Sequence, residues 1–333
     1  MNRDNNGNIE SLLHETSELI EAQMHNFAHV SDPMLQEIIA YALKPKGYGE
    51  RALLLRLACK AVGGDFRDVI PAAIAIELFH FSTLVIDDIF DESPLRGNYE
   101  TVQSAYGYKN AIIVGEILNC LAFLALSKLV SHGIDEEKVL RAFRILKEAQ
   151  EDVYHGQFLD LSFEHSGNVT VEQYIDMISK TTASLTECSL RIGAIFGGGN
   201  EEQTKSLAEY GRALGKGLQI RDDIVEIIGD PELIGKQIGA DISRGKMRLP
   251  MIYALLKSQG QEARFLKELL AKRGIPSFEV RKAINILIKS NAIEYAKEMV
   301  HGYSQEAILR LAPLPESQAK RWLKSLAQVI ATF

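Results

Sequence analysis

Helix-period apolar patterning runs through almost the whole chain and leaves little room for another architecture. Long stretches at roughly 108–131, 135–164, 171–197 and 201–229 repeat apolar residues at three- and four-residue spacing, and shorter ones fill 249–330. Only nine prolines interrupt 333 residues, and no segment carries a convincing strand alternation. The expectation is an all-α fold. Asp32-Pro33 reads as an N-cap followed by proline at the first helical position. Thr170 with Gln173 reads as a capping box. A hydrophobic share of 46% is enough for a large core. Without a Ser/Pro-rich linker or a shift in composition, the chain is expected to form one helical domain over 9–333. The first helix then spans about Ile9–Ala28, after a polar, disordered stretch at 1–8 that lacks the apolar core of a signal peptide.

Charge and cysteine usage narrow the function. A net charge of −7 argues against broad nucleic-acid binding but says little about small anionic ligands, because a local cation cluster or a bound metal overrides the global sign. Cys59, Cys120 and Cys188 are odd in number and far apart. A disulfide framework or a zinc site needs closer or paired spacing. They read as three buried thiols in a reducing cytoplasm, which is the expected location. The most apolar stretch, Ala111–Val130, contains Glu116 and Asn119 and reads as a core helix.

The chemistry is carried by an internal echo. IDDIFD at 86–91 is answered by RDDIVE at 221–226, each with acids at i, i+1 and i+4. On a helix, Asp87 and Asp91 share a face, as do Asp222 and Glu226. Like charges at that spacing cost a helix roughly 0.2–0.5 kcal/mol, and helix C-termini disfavour anions further. Such clusters are either solvated acidic faces or cation sites. Embedding in apolar sequence, and the duplication itself, favour a cation. An all-oxygen donor set suits Mg2+, which keeps waters and shares substrate phosphates. Arg96 follows the first cluster, and Lys236 and Lys246 follow the second within GKQIGADISRGK. Two carboxylate pairs bridged through Mg2+ to a diphosphate fit this set.

With these motifs the sequence resembles the trans-isoprenyl diphosphate synthases (polyprenyl synthetases). The matching residues are both aspartate motifs, Gln219, Gly235, Lys236, Asp241, Gly245, Lys246, Leu249 and Pro250, together with ELFH (77–80), HGQFLDL (155–161) and TASL (182–185), over roughly residues 35–255. The resemblance implies a bundle of antiparallel helices around a central cavity, usually as a homodimer, with the two motifs facing each other across its mouth. It implies Mg2+ as cofactor, three ions with the diphosphate bound. Asp87, Asp91 and Asp222 would bind metal directly, and Asp88, Asp223 and Glu226 would support metals or waters. Arg96, Lys236 and Lys246 would hold the allylic diphosphate; Thr182 and Gln219 would steady the developing cation. The implied reaction ionises an allylic prenyl diphosphate, and the double bond of isopentenyl diphosphate attacks the carbocation. Released diphosphate is a plausible base, so no His or Cys is required.

Departures from the family concentrate on the acceptor. Tyr48, Gly49 and Gly97 stand where the family carries cations, leaving Arg51 and His80 for the isopentenyl diphosphate. His80 reads equally as a buried, hydrogen-bonded helix residue. These losses keep two alternatives open: a related enzyme with another acceptor (or a cyclase), and a regulatory subunit of a heteromeric synthase. On the helix carrying Asp87, Ser82 and Thr83 are small enough to let a growing tail pass, and Phe79, a turn deeper, is either its floor or ordinary core. The expected product exceeds fifteen carbons.

Overall fold

The computed structural model describes residues 3–44, 49–164, 166–229, 238–272 and 275–333, with side chains from Ile9 onward. The described chain is helical apart from one two-stranded hairpin. It divides into two compact units, Met1–Glu148 with Leu185–Gly211 and Arg310–Leu326, and Ala149–Ser184 with Arg212–Leu309 and Ala327–Phe333. The boundaries fall inside helices rather than at linkers, so no change of composition marks them.

The first unit contains α1 (Arg3–Phe27), α2 (Pro33–Ala42), α3 (Glu50–Ala61), α4 (Ile70–Phe90), α5 (Val102–Tyr106) and α6 (Tyr108–Ser131). The start of α7 (Glu136–Phe163), most of α9 (Ser184–Phe196) and the start of α10 (Glu201–Ile228) complete its long helices. Helix α1 begins at Arg3, not near Ile9, so helical backbone reaches into the stretch expected to be disordered. Asp32 caps α2 as expected, accepting the Leu35 N–H at 2.8 Å with Pro33 at the first position.

Helix α4 is apolar all round and is covered on nearly all sides from Ile70 to Ser82. Phe66–Phe90 and Tyr108–Ser131 are both long and apolar enough to cross a membrane by length and composition. The first is 78% buried within the chain, which identifies it as core; the second is only 44% buried. Helix α6 therefore does not match the core-helix expectation in full. One face packs closely on α4, with Gly115 against Ile86, and buries Val114, Leu118 and Ala122, while Ile112, Ile113, Leu124 and Val130 are exposed. Cys120 lies on that open side and corrects the reading of three buried thiols; Cys59 and Cys188 are buried.

The second unit contains the rest of α7, α8 (Val171–Ile178), the remainder of α10, α11 (Ala240–Arg244), α12 (Leu249–Lys257), α13 (Gly260–Leu270), α14 (Ser277–Lys289) and most of α15 (Ala292–Arg310). The last helix, α16 (Gln318–Val329), ends in it. Thr170 and Gln173 form the expected capping box at the start of α8. The helix expected over 171–197 is not uniform: Ser179–Ala183 is a π-helical turn between α8 and α9. Such turns insert one residue into an α-helix and often occur at functional sites. Gly156 of α7 packs directly on this one, and a Cβ there would lie 2.7 Å from the Thr181 backbone nitrogen.

Candidate active site

The first cluster sits at the end of α4, where the apolar helix reaches the surface. Asp91 is the C-cap, and Glu92 takes the left-handed conformation at φ 48°. The chain closes there with Ser93 N–H to Asp88 C=O at 3.0 Å and Glu92 N–H to Ile89 C=O at 3.2 Å. These two bonds form a Schellman stop, built here on a glutamate in place of the usual glycine. A hairpin follows, β1 (Leu95–Arg96) and β2 (Tyr99–Glu100), turning at Gly97 with φ 58°. It returns Arg96 over the acids. The Arg96 guanidinium lies 2.8 Å from Asp88 and 3.2 Å from Asp87. Asp88 is buried, whereas the Asp87 side chain keeps 39% of its surface exposed. Arg96 thus answers part of the repulsion among these acids while leaving one of them open.

In the second unit, α10 carries Asp222, Asp223 and Glu226. Asp222 is exposed and Asp223 is buried. Asp223 accepts the Tyr174 hydroxyl at 2.5 Å and the Gln219 amide at 2.9 Å. Thr182, within the π turn, donates to the Gln219 carbonyl oxygen at 2.5 Å, so a polar chain runs from Thr182 through Gln219 and Asp223 to Tyr174. Burial pushes the Asp223 carboxyl up to about 7, against the pull of Arg248, Tyr174 and Gln219. Glu226 accepts the Asp241 N–H at 2.5 Å, and burial together with the Asp241 charge raises its carboxyl. Asp241 is half-buried, and although desolvation would raise its carboxyl, Arg248 outweighs that and holds it well below the ordinary range.

Arg248 links this network. Its Nε lies 2.7 Å from Asp241 and 3.9 Å from Asp223, and its Nη1 lies 2.6 Å from Asp160 of α7. Asp160 also pairs with Lys246 at 2.6 Å. Burial would raise the Asp160 carboxyl; Arg248 and Lys246 overcome it and lower it. Lys246, expected at the allylic diphosphate, is instead 2% exposed and bonded to Asp160 and Glu164. It reaches a substrate phosphate only if those pairs open. Sequence reasoning missed Arg248, Asp160 and Tyr174. The available signal was a fourth cation inside the GK…LP run, at the position before Leu249-Pro250.

The other described residues of the expected set lie in the first unit. His80 and Arg51 come together beside Arg96. Burial first, then the charges of Arg51 and Arg96, holds the imidazole far below its ordinary range, so His80 is neutral. It can bond a phosphate but adds no positive charge. The Arg51 side chain is 19% exposed and reaches Glu50 at 3.0 Å. Near Arg51 lies a group absent from the expected set: Glu77, fully buried, accepts the Ala52 N–H at 2.8 Å, while its second oxygen has no hydrogen-bond partner among the described residues. Burial pushes it up to about 7. Ser82 and Phe79 are fully buried, and Thr83 is half-buried with its hydroxyl on the His80 carbonyl at 2.7 Å. Lys236 and Tyr48 lie outside the described residues.

Mg2+ fits this donor set. All the acids are hard oxygen donors, with Asp87 and Asp222 open and Asp88 and Asp223 fixed behind them. Among the described residues no three His, Cys, Asp or Glu side chains converge as a complete ligand cage. Mg2+ does not need one, since it takes one or two carboxylates and completes its shell with waters and substrate phosphates.

Comparison with known proteins identifies the family. Residues 32–287 match the polyprenyl synthetase family. The chain is 35% identical to a geranylgeranyl diphosphate synthase of Saccharolobus solfataricus over 311 residues, 93% of each chain. It is 39% identical to a short chain isoprenyl diphosphate synthase of Methanocaldococcus jannaschii over 70% of this chain and 69% of that one. The geranylgeranyl pyrophosphate synthetase of Pyrococcus horikoshii superposes with a TM-score of 0.90 at 32% identity, covering 98% of this chain and 99% of that one. A polyprenyl synthase of Caulobacter crescentus, solved with calcium and isoprenyl diphosphate, superposes at 0.89 with 25% identity, covering 97% and 96%. The chain therefore belongs to the polyprenyl synthetase family and is a prenyltransferase of the polyprenyl diphosphate synthase type.

Proposed function

We propose that this chain joins isopentenyl diphosphate to an allylic prenyl diphosphate and releases a product longer than fifteen carbons. The observation that carries the reading is the pair of aspartate clusters, each with an outer acid open to a metal and an inner acid fixed by hydrogen bonds or an ion pair. Asp87, Asp91 and Asp222 hold Mg2+, three ions with the diphosphate bound. When bound, Mg2+ stabilises the negative charge that develops on the departing diphosphate. Arg96 and Lys236 add fixed positive charge to the same group. Arg96 already stands between Asp87 and Asp88 and exchanges one ion pair for another as substrate arrives. Thr182 and Gln219 orient dipoles toward the allylic cation. Arg51 and a neutral His80 take the acceptor diphosphate. The curated relatives named above are synthases, which favours elongation over cyclisation or a purely regulatory role.

The protein is proposed to act as a homodimer through the outward face of α6. Ile112, Ile113, Leu124 and Val130 form an apolar face that the described residues leave exposed, and a second copy would bury it. The free, buried thiols Cys59 and Cys188 are in keeping with a reducing cytoplasm.

The test is purified protein with Mg2+, labelled isopentenyl diphosphate and each allylic starter in turn, with products separated by chromatography. Label should enter products longer than fifteen carbons. A predominant fifteen-carbon product would refute the chain-length reading, and no incorporation from any starter would refute the choice of acceptor.

A further inference from the structure

We infer that Glu77 is a positioning residue for the acceptor: from inside α4 it caps the first turn of α3 and thereby fixes where Arg51 stands. This rests on the reading of Arg51 and His80 as the groups that take isopentenyl diphosphate.

Helix α3 starts without a cap of its own. Gly49 stands at its N-cap with φ 94° and has no side chain to bond the N–H groups that a first turn leaves open. Glu77 supplies an acceptor from another helix, taking the Ala52 N–H at 2.8 Å. A carboxylate is also the group that the positive end of a helix favours. On the other side, the Gly49 backbone lies against Ser17 of α1, so closely that a Cβ there would sit 2.6 Å from the Ser17 Oγ. The start of α3 is thus held between α1 and α4.

Arg51 lies within that turn, and its own side-chain bonds hold it weakly. Its Nη1 bonds Glu50, whose side chain is 63% exposed, and an ion pair so open to solvent contributes little. Its Nε is buried and has no hydrogen-bond partner among the described residues. The guanidinium therefore goes where the backbone of the turn carries it. His80 follows Glu77 by three residues on α4, about one turn along the same face, and the Arg51 charge acts on both side chains. One buried carboxyl thus ties the helix that carries Arg51 to the helix that carries His80. Protonated or ionised, it keeps an oxygen for Ala52.

The test is steady-state kinetics with each substrate varied in turn. Arg51→Met should raise the KM for isopentenyl diphosphate by roughly ten- to a hundredfold, the loss of one hydrogen bond to a charged group. Glu77→Met, which nearly keeps the volume and removes the acceptor oxygen, should raise the same KM several-fold and leave the allylic KM and kcat near wild type. Glu77→Gln, which keeps an acceptor for Ala52, should restore the low KM. In the Arg51→Met background Glu77→Met should add nothing further, since it acts through the group already removed. Should Glu77→Met fail to fold, Glu77→Asp draws the oxygen back by one methylene and carries the same expectation. An unchanged acceptor KM in folded Glu77→Met or Glu77→Asp, a Gln variant that does not restore it, parallel changes in both KM values, or an equal penalty with and without Arg51 overturns this inference alone. Arg51→Met with an unchanged acceptor KM overturns the reading of the acceptor site, and this inference with it.

Discussion

Glu77→Gln should change how the stability of this protein responds to pH. Glu77 lies inside the first unit, with one oxygen on the Ala52 N–H and the other without a close hydrogen-bond partner among the described residues, near the charges of Arg51 and Glu50. Burial raises its carboxyl from the ordinary 4.5 to about 7. Below pH 4.5 the group is protonated in both folded and unfolded chains and contributes no pH dependence. Between 4.5 and 7 the unfolded chain ionises while the folded chain keeps its proton, so stability falls as pH rises; above 7 the loss is complete. A rise of about 2.5 pH units at ~1.36 kcal/mol per unit gives a penalty of roughly 3 kcal/mol at pH 8. Glutamine keeps the acceptor for Ala52 and cannot ionise. The free energy of urea unfolding, measured at matched protein concentration, should therefore favour the variant over wild type by roughly 3 kcal/mol more at pH 8 than near pH 4.5. Other buried acids such as Asp223 also titrate, but they are common to both proteins and cancel in the difference. A difference between variant and wild type that stays constant with pH would refute the argument.

The functional substitutions are equally direct. Asp87→Asn and Asp222→Asn should each lower turnover by several powers of ten at saturating Mg2+, because the lost ligand acts on charge that develops in the transition state; near-wild-type turnover of either would sink the metal assignment. Phe79→Ala should lengthen the product distribution if the buried ring is the floor of the tail site, at a stability cost of about 3–5 kcal/mol for the truncated side chain; unchanged product lengths would make Phe79 ordinary core. Gly97→Arg should lower the KM for isopentenyl diphosphate several-fold and leave the allylic KM unchanged. A Cβ at position 97 meets nothing within 4 Å, so the cost is confined to the left-handed backbone, roughly 1–2 kcal/mol. Equal shifts in both KM values would place the new charge at the wrong phosphate.

The helices and the two clusters were legible because they depend on short-range repetition. Asp32-Pro33, the Thr170–Gln173 box and the i, i+4 acids are patterns of two to five residues, and each appears where the spacing puts it. The hairpin that aims Arg96 was not legible, since its strands have two residues each and no period forms in so short a run. Nor was the Arg248 network: Arg248 and Asp160 are 88 positions apart, and Tyr174 and Asp223 are 49 apart, so nothing local links them. Lys246 was placed by its position in a glycine-rich run, which cannot show that it pairs with Asp160 and Glu164, more than 80 positions earlier in the chain. Cys120 was read as buried because its neighbours are apolar, and apolar neighbours also line a face that the chain leaves open.

The π turn at Ser179–Ala183 acts as an angular offset in the helix. Each α-helical residue turns the chain by about 100°, so two residues eight apart point roughly 80° away from each other. Tyr174 and Thr182 are eight apart, yet their hydroxyls reach Asp223 and Gln219, which share one side of α10. Absorbing one residue in the wider turn brings the pair back to within roughly 20° of alignment. Were the same residues wound as a regular α-helix, helix content would scarcely alter, but one hydroxyl would rotate away while the other stayed in place. The phase of this helix, and not only the identity of its side chains, is therefore part of what holds Asp223.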